Sequence, residues 1–202
     1  MSNPDATIAA ILAAAEKLFV ERAYADVSMR DISVAARVST GALYHHFPSK
    51  EKLYYAMFTA YMARVKQTTL DALPLTGSCR ERLRALTRVY LAMRPAQRKV
   101  MRLVRRDLNA FNGRMREGMV RAYQGAVPDL AEHVLRDAIK NREIKNQDAR
   151  WLAWAYVAIV ETTLGEYARQ NLGNEAARLD AALDLFLEGA RGTKSRSFRS
   201  AG

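Results

Sequence analysis

The 202-residue sequence predicts an all-α protein, with short helices at its N-terminus and longer ones after them. Three observations predict it. Apolar residues recur at three- and four-residue spacing along most of the chain. Ala, Leu, Arg and Glu fill long stretches that five prolines and ten glycines punctuate. No segment carries the alternation of a half-buried strand.

The first helix is expected over 7–23, where Ile8, Ile11, Leu12, Ala15, Leu18 and Phe19 form one face and leave Glu16, Lys17 and Glu21 outside. Ser28 reads as the N-cap of a second helix over 29–36, with Asp31 closing a capping box and Ile32 and Ala35 buried. A tight turn at Arg37-Val38 leads to Ser39, the N-cap of a third helix over 40–47 that Pro48 ends. Ser49 caps a fourth helix whose Leu53, Met57 and Tyr61 form a stripe. Further helices are expected over 78–94, 96–108, 113–140, 147–171 and 175–190. Pro128 kinks or interrupts the third of these. The Arg/Ser/Gly-rich end of the chain, 191–202, is expected to be a disordered basic tail.

The net charge of +11 suits a polyanionic partner, but it does not locate a reading surface. Residues 1–50 balance five basic against five acidic side chains, whereas 78–121 carry a net +10. No run approaches the roughly 18 apolar residues of a membrane span. The first residues lack the basic region of a secretion signal, so a cytoplasmic, membrane-free protein is expected. A single cysteine, Cys79, excludes an internal disulfide.

The informative stretch is 28–53, SMRDISVAARVSTGALYHHFPSKEKL. It reads as two short capped helices whose joining turn is too short for an antiparallel pair. Val38, Leu43 and Phe47 would pin the second helix to the first. Thr40, Gly41, Tyr44, His45 and the edge of Ala42 would then face outward. Small residues followed by polar rings suit a helix whose N-terminal end approaches base edges in a major groove.

At these residues the chain resembles the TetR family of regulators, through Val38-Ser39-Thr40-Gly41-Ala42-Leu43-Tyr44 and His46-Phe47-Pro48-Ser49-Lys50-Glu51-Lys52-Leu53, with Ser28, Arg30, Asp31 and Ile32 before them. The resemblance implies a helix-turn-helix DNA-binding domain over 1–50 and a helical effector-binding and dimerisation domain over 51–190. Ser28 would contact a phosphate and Arg30 a base edge. Ser39 would cap the reading helix at the DNA surface, with Thr40, Gly41 and Ala42 at base edges. Tyr44 would touch a thymine methyl and a phosphate, His45 and His46 phosphates or bases, and Lys50 a phosphate. Arg37 stands where the family's turn usually has glycine, and either strains the turn or adds a phosphate contact. Ala23 departs similarly at the end of the first helix.

Other features have plainer readings. His45 and His46 point about 100° apart on a helix, and with no ligand at suitable spacing no metal is expected. Cys79 reads as an inert small residue. The run Arg98, Lys99, Arg102, Arg105, Arg106 is either a solvated face or a surface for an anion. Glu161, in an apolar band with Trp154, Val157, Leu164 and Ala168, needs a partner: an arginine, a cationic ligand, or a dimer contact.

The resemblance further implies a homodimer through 147–190, with Trp151, Leu152, Ala155, Ile159, Leu179, Leu183, Phe186 and Leu187 packing on a twofold copy. Two reading helices roughly 34–36 Å apart would then meet a palindromic duplex operator. A small-molecule effector, held near Met101, Arg105, Trp154 and Glu161, would release it, making the protein a ligand-released repressor. The alternatives are a regulator without such an effector, or an activator. No motif for catalysis or cofactor binding is present, so no enzyme and no cofactor is expected.

Overall fold

The computed structural model describes residues 4–93, 95–163 and 165–191; the side chains of Pro95, Ala96, Met101, Arg102, Val104, Arg105 and Arg191 also fall outside the description. The described residues contain helices and no strand. The chain divides into two compact units, one of residues 1–67 with 93–126, the other of residues 68–92 with 127 onward. The helix that begins at Lys50 runs on to Ala72, past the end of the first segment of the first unit.

In the first unit, α1 covers Pro4–Glu21 and buries Ile11, Ala15, Leu18 and Phe19. It starts earlier than expected because proline is preorganised for a first turn. A 3-10 turn, Tyr24–Asp26, follows. Helix α2, Met29–Ala36, has the complete capping box: Ser28 Oγ accepts from the Asp31 N–H and the Ser28 N–H donates to Asp31 Oδ2. Its buried stripe is Met29, Ile32 and Ser33. Ala35, expected inside, faces solvent. Helix α3 is Thr40–His46, and Ser39 Oγ accepts from the Ala42 N–H. Leu43 and Phe47 are buried beneath it.

Arg37 closes α2 in the left-handed region, at φ 57° and ψ 41°. The Val38 N–H reaches back to Ser33 O at 3.0 Å, as the turn requires. The backbone at this position is therefore strained by its side chain. Arg37→Gly is expected to raise stability by about 0.5–1 kcal/mol, read from the urea midpoint, since the removed Cβ clash outweighs the added chain entropy.

Helix α4, Lys50–Ala72, buries Leu53, Met57 and Tyr61 as its stripe predicts. Helices α6, Pro95–Asp107, and α7, Gly113–Ala126, complete the unit. Its centre is aromatic: Phe19, Tyr24, Phe111 and Tyr54 pack with ring centroids 4.8–5.9 Å apart. The Tyr54 hydroxyl donates to buried Asp107 at 2.9 Å. Arg106 binds the same carboxylate through Nε and Nη2, at 2.9 and 2.7 Å. Its Nη2 also donates to the Phe19 and Arg22 carbonyls, so a guanidinium caps the negative end of α1. Arg106 of the basic run thus turns back onto α1 and Asp107 while staying partly exposed, and Arg98 donates to Met93 O.

The second unit holds α5, Cys79–Ala92; α8, Pro128–Lys140; α9, Ala149–Thr163; α10, Glu166–Asn171; and α11, Glu175–Arg191. Pro128 breaks rather than kinks the expected 113–140 helix, and becomes the first residue of α8. The expected 147–171 helix is also divided, with Gly165 as the N-cap of α10. Buried Arg178 reaches the Thr163 and Gly173 carbonyls and ties these ends to α11. The ion pairs Arg82–Asp137 and Arg84–Asp180 join α5 to α8 and α11. Cys79 is buried. The expectations placed on Leu164 and on the tail from 192 lie outside the described residues.

Leu152, Leu179, Leu183, Phe186 and Leu187, expected to face a second copy, are buried inside the subunit. Ala155 and Ile159 are half-buried and Trp151 is 65% exposed. The outward stripe of α11 is instead Ala177, Ala181, Leu185 and Gly189, at four-residue spacing.

Candidate nucleic-acid interface

The two short helices α2 and α3, with the residues that cap them, carry most of the candidate residues. Ser28, Arg30, Ser39, Thr40, Gly41, Tyr44 and His45 are exposed, and Ala42 and His46 are half-buried. The caps account for this. With Ser28 and Ser39 each satisfying a free helix N–H, the helices need no outside partner to end where they do. Leu43 and Phe47 anchor α3 from below, which leaves its opposite face bare.

Two details sharpen that surface. A Cβ built on Gly41 would meet nothing within 4 Å, so packing inside the protein does not call for glycine there. The missing side chain instead lets an outside surface approach the backbone. Tyr44 stands 48% exposed beside it, a large ring that the subunit does not bury. His45 and His46 lie edge to face, 5.3 Å between centroids. No cluster of potential metal ligands occurs among the described residues.

Lys50 differs from its expected role. Its ammonium donates to the Tyr24 and Val27 carbonyls at 2.8 and 2.9 Å, and reaches the Ala25 carbonyl at 3.5 Å. It also sits 4.4 Å from the Tyr24 ring centroid. Burial, and then the Glu51 carboxylate, push the Tyr24 phenol up to about 12, so the ring stays neutral under the ammonium. Lys50 therefore staples the start of α4 to the turn after α1.

Two further residues of α2, outside the sequence-based set, bear on this region. Val34 on α2 is 71% exposed, one helical turn from Arg30. Ser33 is buried under α3, and its hydroxyl lies 3.3 Å from that of Thr40. Its signal in the sequence was a polar residue at a core position of a short helix.

The proposed effector residues do not share one unit. Met101 and Arg105 belong to α6 and their side chains lie outside the description; Trp154 and Glu161 lie half-buried on α9. A cleft of about 910 Å³ lies in the second unit, between the last turn of α4 and α5, lined by Thr68, Ala72, Arg84, Arg88 and Val89 among others. No helix of the described residues is long and apolar enough to cross a membrane.

Residues 11–57 match the family of bacterial regulatory proteins known as the tetR family. The chain is 36% identical over 80 residues to the transcriptional activator FasR of Mycolicibacterium smegmatis, covering 40% of this chain and 36% of that relative. The match thus spans about a third of FasR. Over most of its length the chain is similar in fold to AibR, solved with isovaleryl coenzyme A and operator DNA (TM-score 0.72, 23% identity, covering 89% of this chain and 97% of that one). It is also similar in fold to FadR of Bacillus subtilis, solved with stearoyl-CoA (TM-score 0.75, 18% identity, covering 89% and 97%).

Proposed function

We propose that the chain, whose residues 11–57 match the tetR family of bacterial regulatory proteins, is a dimeric, sequence-specific DNA-binding regulator of transcription that a small ligand releases from a palindromic operator. The observation that carries this reading is the bare face of α3, where Thr40, Gly41, Tyr44 and His45 stand exposed on a helix capped by Ser39. A surface helix with no partner ordinarily carries charged residues; this one carries a glycine that no internal contact requires. Small residues at the N-terminal end of a groove-reading helix, with an aromatic ring behind them, match what base-edge contact needs. Ser28 and Arg30 flank that face and supply phosphate and base contacts.

Dimerisation is assigned to the outward faces of α9 and α11, where Trp151, Ala158, Thr162 and the Ala177-Ala181-Leu185-Gly189 stripe lie unburied. Small residues at four-residue spacing let two such helix pairs approach closely as a four-helix bundle. The ligand is the less constrained part. Two structural neighbours hold acyl-coenzyme A thioesters, which makes that class the first to try.

The test is selection of binding sites from a random-centre duplex library with the full-length protein. A palindromic site bound at nanomolar concentration is expected, with Tyr44→Ala weakening it by about 1–3 kcal/mol while melting as wild type. Equal affinity for all duplexes would sink the reading. Acyl-CoA thioesters of several chain lengths, titrated against the complex, test ligand release.

Lys50→Ala separates two roles for that residue. As a staple, its loss is expected to cost about 1–2 kcal/mol of stability, because charge-assisted bonds to carbonyls vanish, and to leave the salt dependence of DNA binding unchanged. A lysine on a phosphate would instead lower the slope of log K against log salt by about 0.9.

A further inference from the structure

Resting on the reading of α3 as the base-reading helix, we propose that Ser33 is a positioning residue that decides what Thr40 offers to DNA. Ser33 touches no outside molecule: it is 2% exposed, on the buried face of α2. The Ser33 hydroxyl donates to the Arg30 carbonyl at 2.8 Å, and a carbonyl can only accept. A serine has one proton, so at the 3.3 Å contact Ser33 Oγ accepts and the Thr40 hydroxyl is the donor.

The consequence is chemical. With its proton turned inward, Thr40 presents only lone pairs and a methyl group to whatever faces α3. It can accept from the amino group of adenine or cytosine, and its methyl can pack on that of thymine. Guanine has only acceptors on its major-groove edge, so it offers Thr40 nothing. A phosphate, which needs a donor, is equally disfavoured. The contact to Ser33 also favours the Thr40 rotamer that makes it. Thr40 thus becomes a one-way reader that excludes guanine at the base it faces.

The test compares selected sites for the full-length wild type, Ser33→Ala, Thr40→Val and Thr40→Ser. The position Thr40 reads is the one whose preference changes in Thr40→Val. There the wild type is expected to reject guanine. Ser33→Ala frees the proton, and guanine at that position is expected to rise about tenfold in relative affinity, with other positions unchanged. Thr40→Val keeps the methyl and leaves the Ser33–Arg30 bond intact, so it folds; it is expected to retain thymine and lose adenine and cytosine. Thr40→Ser keeps the hydroxyl contact and is expected to lose thymine only. The inference is overturned if Ser33→Ala melts as wild type yet selects an identical site, or if Thr40→Val weakens all sites uniformly, as loss of a phosphate contact would. Should Ser33→Ala not fold, the two Thr40 variants decide the matter. A wild type that selects no sequence overturns both this inference and the function beneath it; a selective wild type with an unaltered Ser33→Ala site overturns the inference alone.

Discussion

Asp107→Ala is expected to lower the free energy of unfolding by about 3 kcal/mol, more than any single change on the reading surface. Asp107 is buried and holds three bonds, one from the Tyr54 hydroxyl and two from Arg106. Removing it strands the Tyr54 hydroxyl in an aromatic core, which costs about 1–3 kcal/mol. Arg106 is partly exposed and recovers some hydration, so its share falls below the range for a fully buried ion pair. Tyr54→Phe removes only one bond and leaves the ion pair whole, with an expected loss of about 1 kcal/mol. Urea unfolding of the two single variants and the double variant checks the values, because neighbours in one network do not add.

The same tyrosine gives a pH signature. Burial, then the Asp107 carboxylate, push its phenol well above its ordinary value of 10.0. A group raised on folding contributes fully below its unfolded value and loses that contribution as pH rises toward the folded one. Stability is therefore expected to fall above about pH 10, less steeply in Tyr54→Phe.

Ala181→Glu is expected to leave the isolated subunit folded and abolish its pairing. Ala181 is exposed in the subunit, central to the α11 stripe, so the monomer has room for the new side chain. In a twofold interface each substitution appears twice, and an unpaired carboxylate in an apolar contact costs several kcal/mol per copy. At about 3 kcal/mol each, the dimer constant falls by a factor on the order of 10⁴. Light scattering at micromolar concentration reads this directly, and affinity for a palindromic duplex should drop toward that of a half-site. A dimer that survives the change would place the interface elsewhere.

The helix-turn-helix was legible because its determinants are local. Ser28, Asp31 and Ser39 announce helix starts within three residues of themselves, and Leu43 and Phe47 lie one turn apart on one face. Ala35 misled because on an eight-residue helix one alanine satisfies an apolar period from either side of it. The bonds of Lys50 were not legible for a different reason: its partners are the carbonyls of 24, 25 and 27, and backbone acceptors carry no sequence signal. The outward face of α11 was misassigned because leucines dominate any periodic reading, whereas the exposed stripe is mostly alanine and glycine. The Asp107–Arg106–Tyr54 network joins residues 53 apart and lay beyond any local pattern.

The backbone passes between the two compact units after residues 67, 92 and 126. One cut therefore releases neither as a working fragment. Residues 1–67 expressed alone would lack Phe111 and Asp107, taking a ring neighbour from Tyr24 and Tyr54 and the hydroxyl partner from Tyr54. Anyone building a chimera that borrows this reader for a different sensor needs three seams, with residues 93–126 travelling alongside the N-terminus. Exchange by simple end-to-end fusion would fail at the level of folding, before recognition of any operator came into question.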